Sequence, residues 1–211
     1  MTHDRYQSGD KPPHSKEYSL DVLLNECERL HGHMCAGQLL GARMALLGCR
    51  LIGVEDPRGA DRKKLIVWVE IDRCMTDAIS AVTGVRLGKR SLKFVDYGKV
   101  AATFVNTEEN RAMRIVALES ARTLADERFP DIANKRERQF RAYSEASDDE
   151  LFKTEFVNVE LSEFDLPGSP RSRMICSVCG EGINDGREIT AEGAVFCRSC
   201  HGETYYSRHT T

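Results

Sequence analysis

Leu65-Ile66-Val67-Trp68-Val69-Glu70-Ile71-Asp72 is the clearest strand in the sequence. Leu65, Val67, Val69 and Ile71 share one face, and Trp68, Glu70 and Asp72 share the other, the two-residue period of a pleated backbone. Two helical patterns precede it. Ser19 can cap a helix with Leu20, Leu23, Leu24 and Cys27 on one face, interrupted at Gly32. A second pattern over residues 36–51 carries Leu39, Leu40, Met44 and Leu47 at helical spacing. Gly37 and Gly41 lie one turn apart within it, each costing about 1 kcal/mol relative to alanine. Close approach of another backbone, or access for a ligand, accounts for that cost.

After the strand, a short helix is expected from about Thr76, with Gly84 as its C-terminal cap. Strands over 91–96 and 99–105 follow, with Tyr97-Gly98 between them as a tight hairpin. Asn106 or Thr107 then starts a long helix that stops before Pro130. A polar helix over 134–146, a short helix over 148–156 and an alternating strand over 156–161 complete the pattern. Pro167-Gly168-Ser169-Pro170 marks a linker. This order predicts an α+β domain over residues 18–161 with a helical extension. A flexible arm over 1–17 precedes it, and a linker over 162–172 and a small metal module over 173–206 follow it.

The chain has 211 residues, enough for one sizeable core and an appended module. With 41% hydrophobic and 30% charged residues it has the composition of a folded globular protein. A net charge of -3, with both signs mixed along the chain, argues against nucleic acid as a partner. The longest apolar run, Leu65 to Val69, is far too short to span a membrane, and the polar first residues lack the apolar centre of a secretory signal. A cytoplasmic location is therefore expected.

Four of the eight cysteines fall as two Cys-x-x-Cys pairs, Cys176/Cys179 and Cys197/Cys200, separated by seventeen residues. That spacing is what one tetrahedral zinc ion requires, and four thiolates fill its shell, so this zinc is structural. Gly180 allows the left-handed backbone of a metal-binding knuckle. Residues 182–193 read as a hairpin, and 197–206 as the start of a short helix, which together would make a treble-clef-like finger. His201, beside Cys200, would be surplus as a ligand. From Arg171 onward there are five arginines, no lysines and five acids, a balance unsuited to gripping phosphate backbones.

The other chemically loaded stretch is His31-Gly32-His33-Met34-Cys35-Ala36-Gly37, at the junction of the two N-terminal helices. Cys35 would feel the positive end of the second helix, which favours thiolate. Cys74 precedes the short helix, with Asp72 and Asp77 nearby. If the strand end meets the start of the second helix, His33, Cys35, Cys74 and Asp77 share a pocket, with His31 beside them. Imidazole, thiolate and carboxylate together suit zinc, or iron in a softer site. The competing reading makes His31 a hydrogen-bonded core histidine, and Cys27 and Cys49 sit on apolar faces as small core residues. Residues 84–90 look faintly like a phosphate loop, but the glycine spacing is short, Arg90 replaces the hydroxyl, and a helix rather than a strand precedes them.

These residues carry a resemblance to the FmdE family of formylmethanofuran dehydrogenase components. The matching stretches are His31 to Gly37, Cys74-Met75-Thr76-Asp77-Ala78-Ile79, Thr83-Gly84, Leu87-Gly88-Lys89 and Asp96-Tyr97-Gly98-Lys99, followed by a terminal zinc finger. The resemblance implies an α+β fold with a mixed sheet and an intertwined homodimer. It also implies a cavity lined by His33, Cys35, Cys74 and Asp77, with His31, that binds a second zinc or an iron or serves as an active site. Its name further implies the molybdenum or tungsten enzymes of one-carbon metabolism as partners. The chain departs from the family pattern at Ser80, Val85 and Arg90-Ser91, which bear on the substrate. The finger alone resembles that of DksA/TraR-type RNA polymerase regulators, so a regulator, or a non-catalytic scaffold, is the alternative function.

Overall fold

The computed structural model of the chain describes residues 19–207, so the arm expected over 1–17 lies outside the described residues. Residues up to Val159 belong to one compact unit, and those from Glu160 to another.

In the first unit Ser19 accepts the Val22 amide at 3.4 Å and starts helix α1, Leu20–His31. Gly32, at φ 90°, ends it, its amide donating to the Glu28 carbonyl. Helix α2, Ala36–Leu51, and helix α3, Cys74–Thr83, pack against α1 and against each other. The glycines of α2 allow this closeness. A Cβ on Gly41 would lie 2.5 Å from the Met75 carbonyl oxygen and 2.8 Å from the Ala78 Cβ, and one on Gly48 only 2.4 Å from the Phe104 ring.

These helices cover one face of a five-stranded sheet. Strands β1 (Leu65–Val69), β2 (Leu92–Phe94), β3 (Ala101–Asn106), β4 (Arg111–Ala117) and β5 (Phe152–Phe156) stand in the order β2-β1-β3-β4-β5. The β1–β2 pair is parallel and the others are antiparallel, so the α+β unit has a mixed sheet. Val67, Val69, Phe104 and Ile115 from the sheet share one buried core with Leu39, Met44 and Ile79 from the helices. On the alternate residues, Arg114 donates two hydrogen bonds to the Glu70 carboxylate, at 2.7 and 2.8 Å.

Helices α4 (Ser120–Arg128), α5 (Lys135–Glu145) and α6 (Asp148–Leu151) complete the unit. The Asn134 side chain accepts the Arg136 and Glu137 amides at 2.9 and 3.3 Å and so fixes the start of α5. Asn134→Ala is expected to cost about 1 kcal/mol, read as a lowered urea midpoint at unchanged slope.

Three sequence expectations for this unit need correction. The strands read over 91–96 and 99–105 are not hairpin partners, because β1 lies between them. A fully buried apolar strand needs partners on both edges. Accordingly the Val95, Tyr97 and Lys99 amides wrap the end of β1, donating to the Val69 and Glu70 carbonyls. The long helix expected from Asn106 is instead a turn, strand β4 and the shorter α4. Asn106 decides this: its Oδ1 accepts the Glu108 and Glu109 amides, its Nδ2 donates to the Ile52 carbonyl, and Asn110 at φ 50° reverses the chain. The last strand is β5, which ends at Phe156, where the sequence suggests a strand beginning. Its pairing with β4 also shortens the preceding helix to four residues.

In the second unit β6 (Arg173–Ile175) pairs with β7 (Gly182–Asn184), and β8 (Ile189–Ala191) pairs with β9 (Ala194–Phe196). The stretch 182–193 is therefore split between two hairpins. After Cys197 the described residues form turns in place of the expected helix. The His201 and Glu203 amides close short loops onto Cys197 and Arg198, and Gly202 at φ 105° leaves the helical region. No helix among the described residues is long and apolar enough to cross a membrane.

Candidate metal centres

In the second unit each Cys-x-x-Cys stretch folds into the same turn. The Gly180 amide donates to the Cys176 carbonyl and the His201 amide to the Cys197 carbonyl, both at 3.0 Å, with Gly180 at φ 73°. The turns bring the sulfurs of Cys176, Cys179, Cys197 and Cys200 within 4.8 Å of one another. Backbone amides already point at the sulfurs, Cys197 N at Cys176 Sγ and Cys200 N at Cys197 Sγ, each 3.3 Å away. Amide donation from Cys179 and Cys197 holds the Cys176 thiol down at about 6, whereas the Cys197 sulfur and burial push the Cys200 thiol up to about 12. Four crowded sulfurs cannot all ionise without a cation among them, so this donor set fits zinc.

In the first unit three chain ends meet. His31 is the last residue of α1, Cys35 is the N-cap of α2, and Cys74 is the first residue of α3. A ring nitrogen of His31 and the sulfurs of Cys35 and Cys74 lie within 4.8 Å of one another. The reversal at Gly32 turns α1 back toward α2. Gly37 then leaves room for the second sulfur, because a Cβ there would stand 3.1 Å from the Cys74 Cβ. The Cys74 thiol is pushed above its ordinary range, chiefly by burial and then by its hydrogen bond with Cys35.

Asp77 lies one turn beyond Cys74 and holds His31, with Oδ2 2.8 Å from Nδ1. That contact leaves Nε2 as the donor-free face of the ring, and Nε2 is buried with no hydrogen-bond partner among the described residues. An unpaired buried nitrogen beside two thiols is what a metal ligand looks like without its ion, and a carboxylate on the other nitrogen is its usual support. The residues present therefore fit a metal. His33 is not one of the three: it is exposed, its ring centroid 4.7 Å from that of His31. Cys27 and Cys49 are buried in the core, and burial pushes their thiols up to about 11 and 12, so both stay protonated.

Sequence reasoning passes over Gln38. It is fully buried on α2, its Nε2 donating to the Cys74 carbonyl at 2.7 Å, while its Oε1 has no partner among the described residues. The signal is a polar residue on an apolar helix face, one turn beyond Cys35. Helix α5 reads in the sequence only as a solvated surface, yet with residues 34–36 it lines a cleft of about 520 Å³ that reaches Cys35.

Comparison with known proteins agrees with this architecture. Residues 30–153 match the family described as "FmdE, Molybdenum formylmethanofuran dehydrogenase operon", and residues 170–206 match the prokaryotic dksA/traR C4-type zinc finger. A probable S-adenosyl-L-methionine-binding protein of Archaeoglobus fulgidus is 30% identical over 217 residues, covering 92% of this chain and 55% of that protein. The chain thus spans about half the length of that curated relative. The crystal structure of an FmdE-like protein of tungsten formylmethanofuran dehydrogenase, from Syntrophus aciditrophicus, superposes with a TM-score of 0.60 at 20% identity, covering 94% of this chain and 100% of that one. That likeness shows the fold.

Proposed function

Because this chain belongs to the FmdE family, we propose that its first unit is a second metal centre held by His31, Cys35 and Cys74, beside a structural zinc in its finger. The observation that carries this reading is the buried, unpartnered Nε2 of His31, next to two thiols and braced by Asp77. Zinc or iron with a coordination position left over would supply a Lewis acid able to polarise a carbonyl or to acidify water.

The protein's own groups would do the rest. Asp77 fixes the tautomer of His31 and keeps its free nitrogen turned inward. Gln38 holds the start of α3, and with it Cys74, against α2. Exposed His33 stands where an imidazole can exchange protons between the triad and solvent. The family's description by an operon of formylmethanofuran dehydrogenase supports an accessory or catalytic role beside molybdenum or tungsten enzymes of one-carbon metabolism. A cytoplasmic homodimer is part of the same proposal.

Metal analysis of the purified chain is expected to give two equivalents, one per cluster, and the Cys35→Ser, Cys74→Ser double variant only one. A wild-type chain with a single equivalent, lost on Cys176→Ser, would overturn the second centre. Asp77→Asn should weaken that centre by about 10- to 100-fold without affecting the finger, as measured by competition with a chelating dye. The name of the Archaeoglobus relative adds S-adenosyl-L-methionine to the compounds to titrate against the loaded protein. The match of residues 170–206 to the DksA/TraR finger favours a second reading, a polymerase regulator, for which retention of RNA polymerase on the immobilised chain is the test.

A further inference from the structure

Beside the triad lies a cleft of about 520 Å³ whose walls differ in chemistry. One wall is the entry to α2: Met34, Cys35 and Ala36. The other is a stripe of α5 that includes Arg136, Phe140 and Arg141. Cys35 belongs to both the triad and the cleft, so a molecule seated there would reach the metal ligands.

The charges in this cleft are unevenly committed. Arg141 is engaged, with Glu145 at 3.1 Å and the Phe129 ring 4.7 Å away. Arg136 is exposed and forms no ion pair with any described residue. Glu137 lines the cleft as well, leaving the two arginines in excess. The opposite wall adds to this bias, because α2 is sixteen residues long with no acid in its first turn and no side-chain cap on its amides. Met34 and Phe140, both partly buried against the core, give the same space an apolar lining.

We propose that the cleft between the start of α2 and the outer stripe of α5 is the substrate subsite, taking a small carboxylate- or phosphate-bearing molecule with an apolar or aromatic body. Arg136 binds the anionic group, Met34 and Phe140 hold the body, and the orientation directs the ligand toward Cys35. This rests on the metal-centre reading only for what happens to the ligand; the binding itself depends on α5.

The test is a titration of the full-length chain, its metal content measured, with phenylphosphonate and with neutral benzyl alcohol, followed by NMR of the backbone amides. Phenylphosphonate is expected to shift the signals of residues 34–37 and 136–144 to saturation, benzyl alcohol to do so far more weakly, and Arg136→Ala to weaken phenylphosphonate about tenfold or more. Arg136 is exposed on α5, so this variant keeps the fold. Arg136-dependent binding in a chain with only one metal equivalent would uphold the subsite while removing the metal centre. A chain with both equivalents whose signals ignore phenylphosphonate, or whose affinity ignores Arg136→Ala, would overturn the subsite and leave the metal centre standing.

Discussion

Cys176→Ser is expected to unfold the C-terminal unit while the five-stranded sheet of the first unit persists. From Glu160 onward the only buried hydrophobic residues are Cys176 and Ile183 among the described residues, and β6 is exposed at every position. So little apolar burial cannot offset the conformational entropy of ordering the segment. The missing stabilisation is that of the zinc, on the order of 10 kcal/mol for a structural site. Losing one of four sulfurs removes most of it. Limited proteolysis with mass spectrometry should show cleavage throughout residues 173–206 in the variant, and in the wild type after a strong chelator, with a resistant fragment ending near residue 159. A variant finger as resistant as the wild type would show that something other than metal holds it.

Gly41→Ala is expected to destabilise the first unit by about 3 kcal/mol, near the upper end for an added methyl in a packed interior. The new methyl would stand 2.5 Å from the Met75 carbonyl oxygen and 2.8 Å from the Met75 Cα. Both are backbone atoms, so no rotamer change relieves the contact and α3 as a whole must shift. Cys74 and Asp77 ride on α3. The same variant should therefore weaken metal at the triad while sparing the finger, which a purely local packing defect would not do. Urea unfolding of the first unit and metal analysis give the two readouts. A stable variant with full metal content would mean that the two helices are less tightly apposed than the contact implies.

Much of this fold is legible from residue types alone. Helix α2 runs over 36–51 as read, and Gly32 and Gly84 cap their helices, because left-handed glycine caps and helical apolar spacing are local properties. The paired cysteines of the finger are legible for a similar reason, since chelation by a short loop is written into spacing. The sheet order is not. Val95 to Lys99 look like a hairpin turn until β1, buried on both edges, claims a partner on each side. Residues 111–117 fit a helix in the sequence because Ala112, Ile115 and Val116 satisfy a helical period as well as a strand's. Only the Asn106 side chain, capping the turn at 107–110, decides between them.

At the site, His31 and His33 sit two residues apart, and nothing in their spacing says which faces inward. Asp77, distant in sequence, settles it by taking the Nδ1 of His31. Gln38 and the α5 stripe escape notice because neither belongs to a spaced motif. Their roles arise only when α2, α3 and α5 come together.

Anomalous X-ray diffraction at the zinc and iron absorption edges, from crystals of the full chain grown without chelators, tests the central claim most directly. One peak is expected among Cys176, Cys179, Cys197 and Cys200, and a second within bonding distance of His31 Nε2 and the sulfurs of Cys35 and Cys74. A single peak at the finger, with His31 Nε2 instead hydrogen-bonded to protein or water, would contradict the two-centre reading.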